Sequence, residues 1–409
     1  MLLRARFIYP VSAPPIEDGF IRVKGEIISE MGAWSDCKDQ DEVEDLGEVI
    51  LMPGLVNAHC HLDYTDFAGK IPPPESFTQW LKEMVSLKAD VGNSTHCESW
   101  LTGSQQAVAH GITTLGNIES QRNLLPELWA ATPLRIISFI ELILLKAEND
   151  AAQVVDELRC WLSDYRPPRG KIGISPHAPY TTKLELLREC ARLSGVPVAM
   201  HVAESAEEDD MFRNGEGAMW QMLQSAGRDM SDCGDSSPLD GVNAAGLLND
   251  RMLLVHGNYL NSKDIVKIAD SQVSVVHCPR SHEYFGHRSF PAKDFRDAGV
   301  NLCLGTDSLA TMSDAGAQLE LFSEMQQFRH QNPDFSNEDL VRMVAVNAAR
   351  ALGVQGQVGC LRTGACADLI TLSYDGEIRK IEEAIVSHQG PVGSVMIGGE
   401  WVRKFMEAA

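Results

Sequence analysis

The sequence predicts an α/β fold, a (β/α)8 TIM barrel with a small β-sandwich domain formed by both termini. Three observations predict it. Between residues 53 and 354, eight short runs of β-branched and apolar residues alternate with longer segments whose apolar positions recur every three and four residues. Those runs are apolar almost throughout, as parallel strands covered on both faces must be. The two ends, 1–52 and 355–409, read instead as hairpin strands with glycine turns. A doubly wound open sheet is the alternative arrangement of the same central pattern.

Taken in order, LLRARFIYP and GFIRVKGEIISEMG supply the N-terminal strands. The barrel strands follow as LVNAH (55–59), ITTLGNI (112–118), LRIISFI (134–140), KIGIS (171–175), PVAMHV (197–202), MLLVH (252–256), VSVVH (273–277) and VNLCL (300–304). Helical periodicity marks 78–88, 183–194 and 316–329. The Gly-, Ser- and Asp-rich stretch 228–250 predicts an exposed excursion between strands five and six. At the C-terminal end ADLITLSY and SVMIGGEWVRKF are strand-like again. Neither end can bury a core by itself, so 1–52 and 355–409 are expected to form one composite domain beside the 53–354 barrel.

Composition narrows the function. The chain has 409 residues, 44% of them hydrophobic and 22% charged, which fits a globular protein and not a disordered one. Its formal charge of −22 repels polyanions, so nucleic acid is not an expected partner. No apolar run reaches the roughly 20 residues of a membrane helix, and MLLRARFIYPVSAPP does not read as a signal peptide. The 10 Cys are scattered without a C-x-x-C pair, so reduced thiols and a cytoplasmic location are expected.

In a βα barrel, chemistry sits at the C-terminal ends of the strands. Strand one ends in His59-Cys60-His61, strand four runs into Ser175-Pro176-His177, and strand five ends in His201 with Glu204 beyond it. Strand six ends in His256, strand seven near His277-Cys278-Pro279-Arg280, and strand eight in Gly305-Thr306-Asp307. A lone histidine at a strand end is more often a structural residue. Side chains two apart on a strand share a face, so His59 and His61 can reach one ion. Strand eight neighbours strand one in a closed barrel, and strand five faces them across the mouth. Three imidazoles and a carboxylate from His59, His61, His201 and Asp307 suit a borderline divalent ion, Zn²⁺ ahead of Fe²⁺.

These motifs, PGLVNAHCHLD (53–63), SPHAPYT (175–181), HVAES (201–205), LLVHGNYL (253–260), LGTDS (304–308) and ADLITL (367–372), resemble the amidohydrolase superfamily. Within it they resemble the metal-dependent deaminases and chlorohydrolases, over essentially the full length. The resemblance implies a hydrolytic aminohydrolase in which His59, His61, His201 and Asp307 hold the ion and the ion acidifies a water. Asp307 would take a proton from the water, Glu204 would pass it to a ring nitrogen of the substrate, and His256 would steady the developing tetrahedral centre. Binuclear members carry a bridging lysine on strand four. Here Lys171 opens that strand and none lies near its end, so one ion is expected. Each role has a plainer rival. Glu204 could simply begin the acidic run Glu207-Glu208-Asp209-Asp210, and His256 could be structural.

The substrate contacts implied are His177 and the run Phe77-Thr78-Gln79-Trp80-Leu81, in which Gln79 replaces the acid that relatives acting on adenosine thioethers place on ribose hydroxyls. The run HCHLDYTDFAG with FTQWL looks closer to aminodeoxyfutalosine deaminases. Arg280 and His282 read either as contacts to an anionic substituent or as a loop-closing pair. His277 reads as core, and His287 has no assigned role. The expected substrate is therefore a small molecule, a 6-aminopurine nucleoside derivative. A free base, triazine or pterin is the second reading, and a non-catalytic barrel scaffold the distant third. Family members are often dimers, so a homodimer is the assembly the resemblance allows.

Overall fold

The computed structural model describes residues 1–39, 42–146 and 150–404. Eight parallel strands, Leu55–Cys60, Ile112–Glu119, Arg135–Leu142, Gly170–Pro176, Val198–Val202, Met252–His256, Ser274–His277 and Asn301–Leu304, pair in sequence order. The open alternative is excluded at the seam. Asp307 N–H donates to the His59 carbonyl at 3.1 Å, and the Asn57 amide clamps Thr306 by its hydroxyl and its N–H at 2.8 and 3.1 Å. Gly305 permits this approach, since a Cβ there would stand 2.8 Å from the His59 carbonyl oxygen.

Alternation along each strand divides inside from outside. Ile137 and Phe139 point into the barrel with Val56, Ala58, Ala199, Val255 and Val276, whereas Ile136, Ile140 and Leu142 pack outward against helices. Ala348, Ala349 and Leu352 plug the base. The lumen is thus apolar at the base, and polar side chains collect at the opposite rim.

Both termini join one eight-stranded mixed sheet, in the order Glu400–Arg403, Val395–Ile397, Leu369–Ser373, Val49–Pro53, Leu2–Ile8, Ile16–Lys24 and Ile27–Ala33, with Val43–Asp45 paired to Leu2–Ile8. One face (Ile50, Met52, Ile370, Val395) joins the barrel's outer core, and the other (Leu51, Leu369, Met396) closes over Leu3, Ile21 and Ile28. Positions 40–41 and 405–409 of the expected composite domain lie outside the described residues.

Two expectations change. The helix foreseen over 316–329 spans Leu321–Gln331, because Glu320 caps it by accepting from Ser323 N–H while Asp314 holds Gly316 in a turn. The excursion at 228–250 is exposed mainly over 229–235. Beyond it Ser237 caps a helix, Pro238–Ala244, that buries Leu239 and Val242, and Arg228 is buried, donating to the carbonyls of Pro179 and Tyr180. Polar composition concealed these few apolar anchors. Among the described residues no helix is long and apolar enough to cross a membrane.

Candidate active site

The strand-end histidines converge. The His59 ring lies 5.0 Å from those of His61 and His201 and 6.0 Å from that of His256, and His201 stacks on His256 at 5.5 Å. Asp307 Oδ1 sits 3.5 Å from His59 Nε2 and 3.7 Å from His61 Nε2. The backbone is bent to achieve this. Ala203, His256 and Asp307 all adopt left-handed conformations (φ +52°, +72° and +56°). Such conformations cost a non-glycine residue on the order of 1 kcal/mol and cluster where side chains must be aimed.

The donors are held ready to ligate. His201 Nδ1–H donates to the His177 carbonyl at 2.9 Å, which leaves its Nε2 lone pair free. Burial keeps His61, His201 and His256 well below the usual imidazole range, hence neutral. Burial works against the Asp307 carboxylate, but the His59 ring beside it, with those of His256 and His61, holds it well below the carboxylate range. The Ser281 hydroxyl donates to its Oδ2 at 2.7 Å.

A divalent ion fits these residues. Ligand atoms of His59, His61 and Asp307 lie within 4.8 Å of one another, as do those of His59, His201 and His256. His59 Nε2 is buried without a hydrogen-bond partner, a loss that coordination would repair. Cys278 also lies within reach of His256 and Asp307, but burial raises its thiol well above the usual range, which keeps it protonated.

Glu204 stands opposite, its Oε1 3.5 Å from His256 Nε2. Burial, then the charges of Asp307 and Glu208, push it well above the usual carboxyl range. Its place is fixed by Glu208, which accepts from the N–H groups of Ala203 and Glu204 at 3.0 and 2.8 Å, and by Asn258, whose amide donates to the Glu204 carbonyl at 2.9 Å. The acidic run therefore divides. Glu208 supports the backbone of Glu204 from the next helix, while the Glu204 side chain turns into the cavity.

His177 lies 5.0 Å from His201, and its Nδ1 bonds Thr181 at 2.8 Å. Burial lowers it to about 3. Trp80 lines the same cavity, of about 50 Å³, with Tyr64, Phe77, Leu81, Tyr180 and Ser308. The helix Phe77–Ala89 is tied over it by Thr78, which bonds Glu207, and the segment leading into it is held by Tyr284, whose hydroxyl donates to the carbonyls of Ile71 and Pro72 at 3.0 Å.

Three sequence candidates do not face this cavity. Gln79 is exposed and donates to Glu83 one helical turn on, at 2.9 Å, because the cavity face of the helix is taken by Phe77, Trp80 and Leu81. Arg280 points behind strand seven, where its Nε donates to Glu324 at 2.6 Å and another guanidinium nitrogen to the Gln318 carbonyl at 3.1 Å. His282 donates from Nε2 to the Arg288 carbonyl at 2.9 Å and closes a loop. The loop-closing reading of this region is the one the contacts support, although Arg280 and His282 do not pair with each other. His277 stacks on Phe290 at 3.8 Å in the outer core, as expected. His287 reaches the Tyr259 hydroxyl at 3.4 Å.

Residues 50–402 match the amidohydrolase family. The chain belongs to that family. As an amidohydrolase it is a hydrolase of C–N bonds in amidine-like groups. It is 26% identical over 374 residues to a 5-methylthioadenosine/S-adenosylhomocysteine deaminase of Pyrococcus furiosus, covering 88% of this chain and 81% of the relative. It is 27% identical over 381 residues to an aminodeoxyfutalosine deaminase of Deinococcus radiodurans, covering 89% and 88%. Its fold matches that of Helicobacter pylori aminofutalosine deaminase with a TM-score of 0.87 at 18% identity, over 98% of this chain and 99% of the other. Amidohydrolases are metal-dependent, and the His/Asp groups at this rim could hold an ion. The sequence reading gave no role to Tyr64, Tyr180, Ser281 or Glu208, and left the ends of strands two and three, with Glu119 and Glu141, unread. The strand-end rule applied to all eight strands would have found the last two.

Proposed function

We propose that this amidohydrolase is a deaminase of a 6-aminopurine nucleoside derivative, with aminodeoxyfutalosine as the preferred candidate, giving the 6-oxo product and ammonia. The observation that carries this reading is the pairing of Glu204 with His256 at 3.5 Å, facing the His59/His61/His201/Asp307 donor set. The names of the two relatives, both deaminases of adenosine derivatives, support it.

One divalent ion, Zn²⁺ by the nitrogen-rich donor set, would be held by those four residues and would make a water acidic enough to attack near neutral pH. The chain's own groups do the rest. Asp307, a carboxylate, accepts the proton that the attacking water gives up. Glu204, buried and protonated when waiting, donates to a purine ring nitrogen and makes C6 electron-poor. His256 hydrogen-bonds the oxygen added at C6. The C6–N bond then breaks, and the amino group leaves as ammonia with the returned proton. A cavity of about 50 Å³ holds water but no nucleoside, since ligand pockets occupy roughly 300 Å³ or more. Entry therefore requires this cavity to widen.

The test is Glu204→Gln, assayed by ammonia release over adenosine, methylthioadenosine, aminodeoxyfutalosine, guanine and pterins, with metal content measured in parallel. Turnover of the preferred nucleoside should fall by roughly 10² or more while metal is retained. Unchanged turnover, or preference for a free base or pterin, would overturn the reading.

A further inference from the structure

The rim half formed by strands two to four carries polar groups that the proposed chemistry does not use. Glu141 closes strand three. Ile137 and Phe139 below it point into the barrel, and its neighbours Ile140 and Leu142 point out, so the Glu141 side chain faces the mouth. It pairs in register with Ser175, directly below His177 on strand four, and Leu142 accepts from His177 N–H at 3.1 Å.

The half-buried Glu141 side chain makes no hydrogen bond among the described residues. This sets it apart from the buried glutamates that hold structure together. Glu119 accepts from Trp100 and Ser138, Glu208 from two backbone N–H groups, and Glu324 from Arg280. Glu204, the glutamate placed against the reacting atoms, likewise has no hydrogen bond to its side chain. Ser175 Oγ is fully buried without a partner among the described residues, and Asp63, whose Oδ2 accepts from the Ser120 hydroxyl at 2.7 Å, has its Oδ1 buried without one. Lys88, on the helix that covers the cavity, stands 5.0 Å over the Tyr64 ring and interacts electrostatically with both Asp63 and Glu141. Tyr64 itself lines the cavity and stacks on His61.

Buried oxygens without partners, as at Ser175 and Asp63, are costly unless a ligand completes them, and the half-buried Glu141 carboxylate stands open beside Ser175. Two carboxylates, a hydroxyl and one ammonium do not make an anion site. Together they match a neutral group with several O–H donors and acceptors. We propose that Glu141, with Ser175 and Asp63 beside it, is the subsite that reads sugar hydroxyls on the part of the substrate remote from its reacting amino group. The inference rests on the nucleoside deaminase reading and names the residues that select the nucleoside over the free base.

Adenosine and 2′,3′-dideoxyadenosine test it, by kcat/KM for ammonia release from wild type, Glu141→Gln and Glu141→Ala, with metal content and thermal unfolding measured for each. A charge-assisted hydroxyl contact predicts that the adenosine-to-dideoxyadenosine preference falls about tenfold or more in Glu141→Ala and less in Glu141→Gln, which keeps an acceptor. A preference equal to wild type in both folded, metal-retaining variants overturns the subsite while the deaminase reading stands. Wild-type protein that releases ammonia from no nucleoside of the panel above overturns both readings, and one that deaminates a nucleoside derivative without preferring adenosine to dideoxyadenosine overturns the subsite alone.

Discussion

The two halves of the barrel rim are built by the same rule and used differently. On strands one, five, six and eight the polar groups crowd together, with imidazole centroids 5.0 to 6.0 Å apart and left-handed residues aiming them. On strands three and four the Ser175 hydroxyl is buried without a partner among the described residues, and beside it in register the half-buried Glu141 side chain accepts no hydrogen bond. Strand two shows the structural use of the same position. Glu119 turns outward, where Trp100 and Ser138 satisfy it at 3.1 and 2.8 Å. Convergence on a point is what bond-making requires, and dispersed unsatisfied groups are what recognition of a larger ligand requires.

The contrast breaks most visibly at His201. Replacing His201 with Asn removes a nitrogen donor whose tautomer is set by the His177 carbonyl. Several kcal/mol of charge stabilisation depend on the ion, so kcat/KM should fall roughly 10³-fold or more, with metal stoichiometry falling alongside. Elemental analysis and ammonia release check this. Full metal content would detach His201 from the ligand set.

His177→Asn probes the boundary between the halves. Its backbone carbonyl still orients His201, so metal should stay, while loss of the imidazole should cost about tenfold in kcat/KM. Metal loss in this variant would mean that strand four belongs to the chemical half.

Glu119→Gln sharpens the structural side with the smallest effect. Burial lifts the Glu119 carboxyl to about 8, against the hydrogen bonds from Ser138 and Trp100 that lower it. A group raised in the fold contributes its stability fully below the unfolded-chain value near 4.5, and that contribution is lost as pH rises towards about 8. Wild-type Tm should therefore decline over that interval more than the Tm of Glu119→Gln, by a few degrees. Parallel Tm curves would show that Glu119 titrates normally in the fold.

Most of this rim was legible in the chain because strand ends are marked by a change from apolar to polar residues. His59, His61, His201, His256 and Asp307 each stand at such a change, and all five meet. Arg280 stands at one too but faces away. It follows Pro279 into a helix, which rotates it towards Glu324. Gln79 was misplaced for a similar reason. A helix has only one face towards the cavity, and periodicity alone does not say which tier of residues reaches it.

By itself the sequence determined the eight-fold alternation, the joining of both ends in one sheet and the set of chemical groups at the rim, because these follow from local periodicity and residue type. Tertiary structure decided which carboxylates are free and which are spoken for. Glu119, Glu141, Glu204, Glu208 and Glu324 are one residue type in the chain. Partners brought from distant positions, Trp100 to Glu119 and Arg280 to Glu324, divide them into supports and working groups. A glutamate's charge and availability depend on burial and hydrogen bonds that no local stretch of sequence contains.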